Sequence, residues 1–367
     1  MATNKSNMKA VIFAGGVGTR MWPLSRKSTP KQFEKIVGEK STLQLSIDRL
    51  RPEFDWKDIY ISTGQRYTHI IKKQLPKIPK SNIIGEPEMK DVAPAVGYLM
   101  AILAKKAPNS PVIILWSDHL MKHVNRFKTI VIKGGEYIRK NTDKFLFIGQ
   151  KPRFANQNLG WIEYGKKLTN LDKYQVSEFK SWHYRPDQKT ADKYFKGGKH
   201  AWNPGYFIVN PKFVFEQYKK HTPKMYKKLA TLQKSYGKFN HKRQLKKIYP
   251  TFEKISFDDA ILMKVPSKQA VVVSADLGWS DIGTWEALKE ALQKKPDDNI
   301  TEGKVVAFNT KNSVIYNFSD QLVTGIDLDD MVVVTTEDAI LVCPQKSIPN
   351  IKKMLNTFDG TELEKYR

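Results

Sequence analysis

The sequence predicts an α/β protein built on a doubly wound, mostly parallel sheet, with a small β-rich segment at its C-terminal end. Three observations carry this. Through the N-terminal two-thirds, short runs rich in β-branched residues alternate with longer amphipathic stretches, the pattern of a sheet covered by helices. A glycine-rich run, Ala14-Gly15-Gly16-Val17-Gly18-Thr19-Arg20, directly follows the first of those short runs. Near residues 295–303 the composition turns to Pro, Asp, Asn and Gly, and only short strand-like segments and an amphipathic tail come after it.

Taken in order, the β-branched runs predict strands over 10–14, 59–63, 112–116 and 145–149, and the amphipathic stretches predict helices over 43–50, 93–105 and 127–139. Further strands are expected at 160–164, 175–179 and 205–209, around a substrate pocket. Residues 271–274 read as a strand leading to a helix over 284–292. Beyond the linker, 305–308, 313–316, 331–335 and 339–342 read as short strands, and 348–358 as an amphipathic tail. The division follows: a larger domain over 1–295 and a β-rich one over 296–367.

Composition narrows the class. With 367 residues, 40% of them hydrophobic, the chain can bury a large core. The apolar stretch from Val11 breaks at Gly15, too soon for a signal peptide or a membrane span, so a cytoplasmic protein is expected. Cys343 is the only cysteine, which excludes an intrachain disulfide and a Cys-cluster zinc site. The net charge is +25, but the lysines are scattered and no nucleic-acid-binding motif accompanies them. A solvated basic surface is the reading, with no specific nucleic-acid partner and no membrane partner.

The glycine-rich run carries the first chemical signal. Gly15, Gly16 and Gly18 let the backbone approach a polyphosphate closely, so that main-chain N–H groups from Ala14 to Thr19 can face its oxygens. The run is not a Walker A loop, because no Gly-Lys-Ser/Thr follows, and its spacing is not the dinucleotide fingerprint. It continues as Met21-Trp22-Pro23-Leu24-Ser25-Arg26 and ends in Pro30-Lys31-Gln32-Phe33. Arg20 can fork onto phosphate oxygens, and Lys31, after a stiff Pro30, offers a point charge. Together they could stabilise charge building at an attacked phosphorus.

From Val11 to Phe33 the sequence resembles the signature of the mannose-1-phosphate guanylyltransferases, members of the sugar-1-phosphate nucleotidylyltransferases. The resemblance continues, with gaps, to about Val342. Glu86-Pro87 and Ala93-Pro94-Ala95 resemble the nucleotide-base loop, and Trp116-Ser117-Asp118-His119 resembles a strand-end Ala-Asp-His. Gly160-Trp161-Ile162-Glu163 is similar to an element that lies against the sugar, and Trp202-Asn203-Pro204-Gly205 to a segment whose Asn contacts sugar hydroxyls. Gly278 to Trp285 is close to Gly-Trp-Ser-Asp-x-Gly-Ser-Trp.

The resemblance implies a nucleotide-diphospho-sugar transferase-like Rossmann fold, with a left-handed β-helix-like C-terminal segment. It implies that mannose-1-phosphate and GTP are joined to give GDP-mannose and pyrophosphate, with Mg²⁺ as cofactor, and leaves a homodimer open. Ala14, Gly15, Gly16, Gly18, Thr19, Arg20, Glu86, Ala93 and Pro94 are then the nucleotide-side candidates. Gly160, Glu163, Arg185 and Asn203 are those on the sugar-phosphate side. Asp118 and Asp281, a strand-end carboxylate and one from a distant loop, make a sensible Mg²⁺ pair. With Arg20 and Lys31 they form the expected catalytic set. His119 and His123 are read as structural, and Asp258 and Asp259 as helix-capping residues.

Two stretches depart from the family pattern. Met89-Lys90-Asp91-Val92 stands where Gly-Arg-Asn-Thr is usual, and Phe179 to Pro186 lacks the Glu of Phe-x-Glu-Lys-Pro, with Arg185 in a position to replace the Lys. A relative using another sugar or base, and a catalytically weak nucleotide-sugar-binding paralogue, are therefore the alternatives.

Overall fold

Lys9–Phe13 and Val112–Trp116 are nearly continuous apolar runs, so each suits a position with both sheet faces covered. They pair side by side and in parallel near the middle of the main sheet. The computed structural model describes residues 6–16 and 18–367; Val17 of the glycine-rich run and residues 1–5 lie outside the described residues.

The chain folds into two compact units, and it passes between them more than once. The larger comprises the chain up to Gly15, Ser46–Ser117 and Lys122–Gly278; the smaller comprises Gly16–Leu45, Asp118–Met121 and Trp279–Arg367.

In the larger unit the strands are β1 (Lys9–Phe13), β2 (Ile59–Gly64), β3 (Ile83–Glu86), β4 (Val112–Trp116), β6 (Phe145–Gln150), β7 (Gly160–Leu171), β8 (Tyr174–Tyr184), β9 (His200–Val209) and β10 (Ala270–Ala275), while β5 (Leu120–Met121) lies in the smaller unit. They form one nine-stranded sheet in the order β3-β2-β1-β4-β9-β6-β10-β8-β7. The stretch β3-β2-β1-β4 is parallel, as is β6 with β10. The contacts of β7, β8 and β9 are antiparallel, which makes the sheet mixed. The early half of β9 pairs with β7 and its later half with β4 and β6, so β9-β6-β10-β8-β7 returns on itself.

The helix Val92–Lys106 is buried from Ala93 through Leu103. A helix apolar all round needs cover on every side. It shares one core with Val11 and Ile114 from the sheet, and with Tyr218, Leu229 and Phe257 from the helical segment after β9.

The smaller unit has its own core of Met21, Trp22, Ile282, Trp285, Tyr316 and Val334, among others. Here β5 pairs antiparallel with β11 (Trp279–Ser280). Next come β12 (Ile300–Glu302), β13 (Val305–Phe308), β14 (Val314–Asn317), β15 (Val323–Ile326), β16 (Met331–Thr335) and β17 (Ile340–Pro344). They form two separate parallel ladders, β12-β14-β16 and β13-β15, with β17 added antiparallel at the end of the first. The corners between them repeat. Asn309, Asn312, Asp327 and Asp330 all take positive φ, and the pairs Asn309/Asp327 and Asn312/Asp330 are hydrogen-bonded across a separation of 18 residues. This is a β-helix-like coil.

Most predicted elements appear with ends moved by a few residues. The larger differences are β7 and β8, a long hairpin where two short strands were expected, and the unpredicted helices Pro211–His221, Pro223–Ser235 and His241–Ile248. Among the described residues no helix is long and apolar enough to cross a membrane.

Candidate active site

The four residues expected to do the chemistry, Arg20, Lys31, Asp118 and Asp281, all belong to the smaller unit. Lys31 is the hub. Its side chain is only 7% exposed, and its ammonium stands 2.9 Å from Asp118 Oδ2. The same ammonium donates to the carbonyl oxygens of Ile282 at 3.2 Å and Asp281 at 3.5 Å. A lysine this buried requires such partners, because an unpaired charge away from water is costly.

Local structure fixes that position. Pro30 precedes a single turn over Lys31–Phe33, and Ser25 Oγ accepts the Lys31 backbone N–H at 2.9 Å. The Lys31 stem crosses Gly18, where a Cβ would lie 2.9 Å from Lys31 Cγ. Gly18 also has φ +66°, so backbone conformation and close approach both require glycine there.

Arg20 is exposed and sits in the short turn Thr19–Met21. A Cβ on Gly283 would stand 3.0 Å from Arg20 Nη2 and 3.5 Å from Asp281 Oδ2, so the guanidinium and this carboxylate converge over Gly283. Asp118 is bracketed by Lys31 and by His119, whose Nε2 lies 3.8 Å from Asp118 Oδ1. His119 in turn accepts from Trp279 Nε1 through Nδ1 at 3.1 Å, which puts the ring proton on Nε2, facing Asp118. Burial pushes the Asp118 carboxyl up, but the Lys31 ammonium and His119 outweigh it and hold it below the ordinary value. Lys31 thus joins the ionised carboxylate of Asp118 to the backbone carbonyl of Asp281, whose own part-exposed carboxylate lies toward Arg20, and the two aspartates offer two hard oxygen donors. That set fits Mg²⁺, which takes one or two carboxylates and leaves its other positions to water and phosphate.

The remaining candidates divide between the units. Gly16, Gly18 and Thr19 lie in the smaller unit, and Gln32 Nε2 donates to the Gly16 carbonyl at 3.0 Å. Ala14 and Gly15 lie in the larger, where the Ala14 carbonyl accepts from Thr63 Oγ1 at 2.7 Å. Glu86 is buried, with its two carboxylate oxygens accepting from Ser62 and Tyr249 at 2.7 Å each; burial raises its pKa against those bonds. Ala93 and Pro94 are buried in the first turn of their helix, and the Ala93 carbonyl accepts from Tyr218. Asp91 caps that helix.

Gly160 and Glu163 lie on β7, Asn203 on β9 and Arg185 just after β8; Gly160 and Asn203 are neighbours, whereas Glu163, three residues along the strand, faces the other side of the sheet with His183 and His200. Gly160 stands across from Tyr184, and a Cβ on it would be 3.6 Å from Asn203 Cβ. Asn203 Oδ1 accepts the Gly205 N–H at 2.9 Å. Arg185 is exposed, with its guanidinium 5.2 Å from the Tyr184 ring centroid. His123 forms a surface pair with Asp276 at 3.3 Å, and Ser256 caps the turn that begins at Phe257, with Asp259 as its partner.

Sequence reasoning missed the surroundings of Glu163. Ser181 donates to its Oε2 at 2.7 Å, and His183 Nε2 lies 3.4 Å from the same oxygen. Both neighbours come from the facing strand β8, and only the pairing register puts them there.

Residues 9–298 match the family model for nucleotidyl transferase, and residues 303–358 match that for the mannose-phosphate isomerase/GMP-like β-helix domain. The chain is 31% identical to a mannose-1-phosphate guanylyltransferase of Escherichia coli over 354 residues, which cover 95% of this chain and 75% of the relative. It is 30% identical over 372 residues to the mannose-1-phosphate guanylyltransferase RfbM of Salmonella typhimurium, covering 97% of this chain and 74% of that one. In fold it is similar to a Thermus thermophilus crystal structure described as a mannose-1-phosphate geranyltransferase, with a TM-score of 0.85, 23% identity, and coverage of 96% of this chain and 100% of that chain. The chain therefore belongs to the mannose-1-phosphate guanylyltransferase family of nucleotidyl transferases.

Proposed function

We propose that this chain joins mannose-1-phosphate to the α-phosphate of GTP, releasing pyrophosphate and leaving GDP-mannose. The observation that carries this reading is the convergence of Lys31, Asp118 and Asp281 in a chain of this family. A phosphate oxygen of the sugar-1-phosphate attacks the α-phosphorus in line. The bond from that phosphorus to the oxygen bridging to the β-phosphate breaks, and pyrophosphate leaves with the electron pair. The attacking oxygen is already anionic at neutral pH, so no general base is required.

Catalysis is then positioning and charge stabilisation. Lys31 is fixed by three oxygen partners and keeps a full charge at a set place, while exposed Arg20 offers its fork to phosphate oxygens. Asp118 and Asp281 are the residues that would hold Mg²⁺. Nucleotidyl transferases generally work with a divalent metal, and when bound it would supply positive charge to the triphosphate oxygens.

Ala14, Gly15, Gly16, Gly18, Thr19, Glu86, Ala93 and Pro94 are assigned here to the nucleotide. Since the Glu86 carboxylate is taken up by Ser62 and Tyr249, any role it has in base recognition is to shape the end of β3. Gly160, Glu163, Arg185 and Asn203 are assigned to the sugar phosphate. The catalytic segment is taken as 1–295, the protein as cytoplasmic, and a homodimer as its assembly.

Purified protein incubated with Mg²⁺, each NTP and a panel of sugar-1-phosphates tests the reading through pyrophosphate release. Mannose-1-phosphate with GTP is expected to give the highest kcat/KM. Absence of pyrophosphate with every pair would overturn the enzyme assignment, and a higher value with another sugar or base would move it to a related transferase.

A further inference from the structure

Outside the Lys31 site, the larger unit carries a second set of metal-ligating side chains, drawn from three neighbouring strands. Glu163 on β7 pairs with Ser181 of β8 on one side and with His200 of β9 on the other. His183, two residues beyond Ser181, points to the same face. One ligand atom from each of Glu163, His183 and His200 falls within 4.8 Å of the others. We propose that these three residues form a binding site for a divalent transition metal of the Zn²⁺ type.

The distances suit such an ion. Donors held about 2.0–2.1 Å from a tetrahedral metal stand roughly 3.4 Å from one another. His183 Nε2 and Glu163 Oε2 are already 3.4 Å apart. The two imidazole rings lie 5.6 Å apart between centroids, so His200 needs to close by about 1 Å or a little more to complete the set.

A further observation concerns His200 itself. Its Nδ1 is buried and has no hydrogen-bond partner, although buried ring nitrogens normally find one. The ring is held by stacking on Tyr194 at 4.0 Å between centroids. A stacked imidazole with an unpartnered ring nitrogen, beside a carboxylate and a second imidazole, is the feature that points to a ligand here.

Protonation states agree. Burial, with His183 adding to it, lowers the His200 pKa against the pull of Glu163, which favours the neutral ligating ring. The Ser181 hydroxyl bond and the nearby imidazoles lower the Glu163 pKa, so this carboxylate is ionised. Ser181 also lies 3.0 Å from His183 Nε2, so its hydroxyl has to turn away from that nitrogen when the ion binds there.

The donor set also says which metals are wrong. Two imidazoles and one carboxylate with open positions suit Zn²⁺, Co²⁺, Ni²⁺ or Fe²⁺, whereas Mg²⁺ prefers oxygen and water. This site should therefore load in the presence of excess Mg²⁺, unlike the Asp118 and Asp281 pair. Glu163 is also the carboxylate assigned above to the sugar. The metal site does not depend on that assignment, because its test reads metal uptake and not turnover.

The full-length protein, stripped with a chelator and returned to excess Mg²⁺, is titrated with Zn²⁺ by calorimetry, and a second sample is loaded with Co²⁺ and read by visible absorption. One equivalent of Zn²⁺ is expected, with Co²⁺ giving the intense bands of four- or five-fold coordination. His200→Ala and His183→Gln are each expected to weaken uptake by about a hundredfold, the upper range seen even for supporting residues. His69→Ala, at an exposed histidine, should leave it unchanged. Circular dichroism checks that each variant folds. If the His200 variant does not fold, the Co²⁺ spectrum of the unaltered protein decides. No uptake by the unaltered protein, weak octahedral Co²⁺ bands, or uptake that survives both histidine substitutions would overturn the proposal.

Discussion

Lys31 shows how much one side chain can depend on its surroundings. An ammonium with so little exposure has given up hydration and regained it from one carboxylate and two carbonyls. Lys31→Met should keep the fold and lower turnover by about a hundredfold or more, as removal of a charged donor at a centre of developing charge does. Asp118→Asn and Asp281→Asn are expected to fall in the same range, and turnover measured across Mg²⁺ concentrations separates metal loss from charge loss. The Asp118 carboxyl adds a pH signature. Its folded pKa is below the unfolded value, so its stabilisation is present above about pH 4 and is lost as the pH falls through the lower folded value. Acid unfolding curves of Asp118→Asn should lack that part of the slope. The string from Gly15 to Phe33 singled out Arg20 and Lys31 in the sequence, and the fold sets Lys31 against Asp118 and Arg20 toward Asp281. The neighbours of Glu163 were not legible, since a cross-strand partner is set by register and leaves no mark in local spacing.

The elements that sequence periodicity described best were apolar parallel strands. β4 and the segments Val305–Phe308 and Met331–Thr335 were read to the residue, because apolar β-branched runs bounded by turn residues have few other uses. The hairpin of β7 and β8 was cut short, since its outer part is exposed and polar and loses the alternating pattern. In the C-terminal coil a repeat went unread although the residues carry it: 305–317 and 323–335 superpose at a spacing of 18, with Asn309 over Asp327 and Asn312 over Asp330. Those corners take φ from +48° to +57°, which Asn and Asp tolerate and β-branched residues do not. Asp330→Val should therefore cost about 1–2 kcal/mol in thermal or denaturant unfolding, and Asp330→Gly much less. Equal costs for the two would assign the effect to the lost Asn312 bond.

At the scale of the whole molecule, the smaller unit is assembled from three separate stretches of chain. Met21 and Trp22 from the first share a core with Trp285 and with Tyr316 and Val334 of the coil. Polar ties run the same way: Trp22 Nε1 donates to the Tyr366 carbonyl at 2.8 Å, and Arg26 Nη1 to Asp338 at 2.7 Å. A chain ending at residue 298 would keep Met21, Trp22 and Trp285 and lose the residues that cover them. Such a fragment is expected to bind a hydrophobic dye and to aggregate, and a monomeric, cooperatively melting fragment would contradict this. The consequence reaches beyond stability to inheritance. Two segments that look separable along the sequence, one ending near 298 and the other starting near 303, cannot be traded independently between relatives. A crossover in the linker would pair the Trp22 and Trp285 of one parent with the coil of another, and the hybrid would have to mend its core before Lys31 found its partners again.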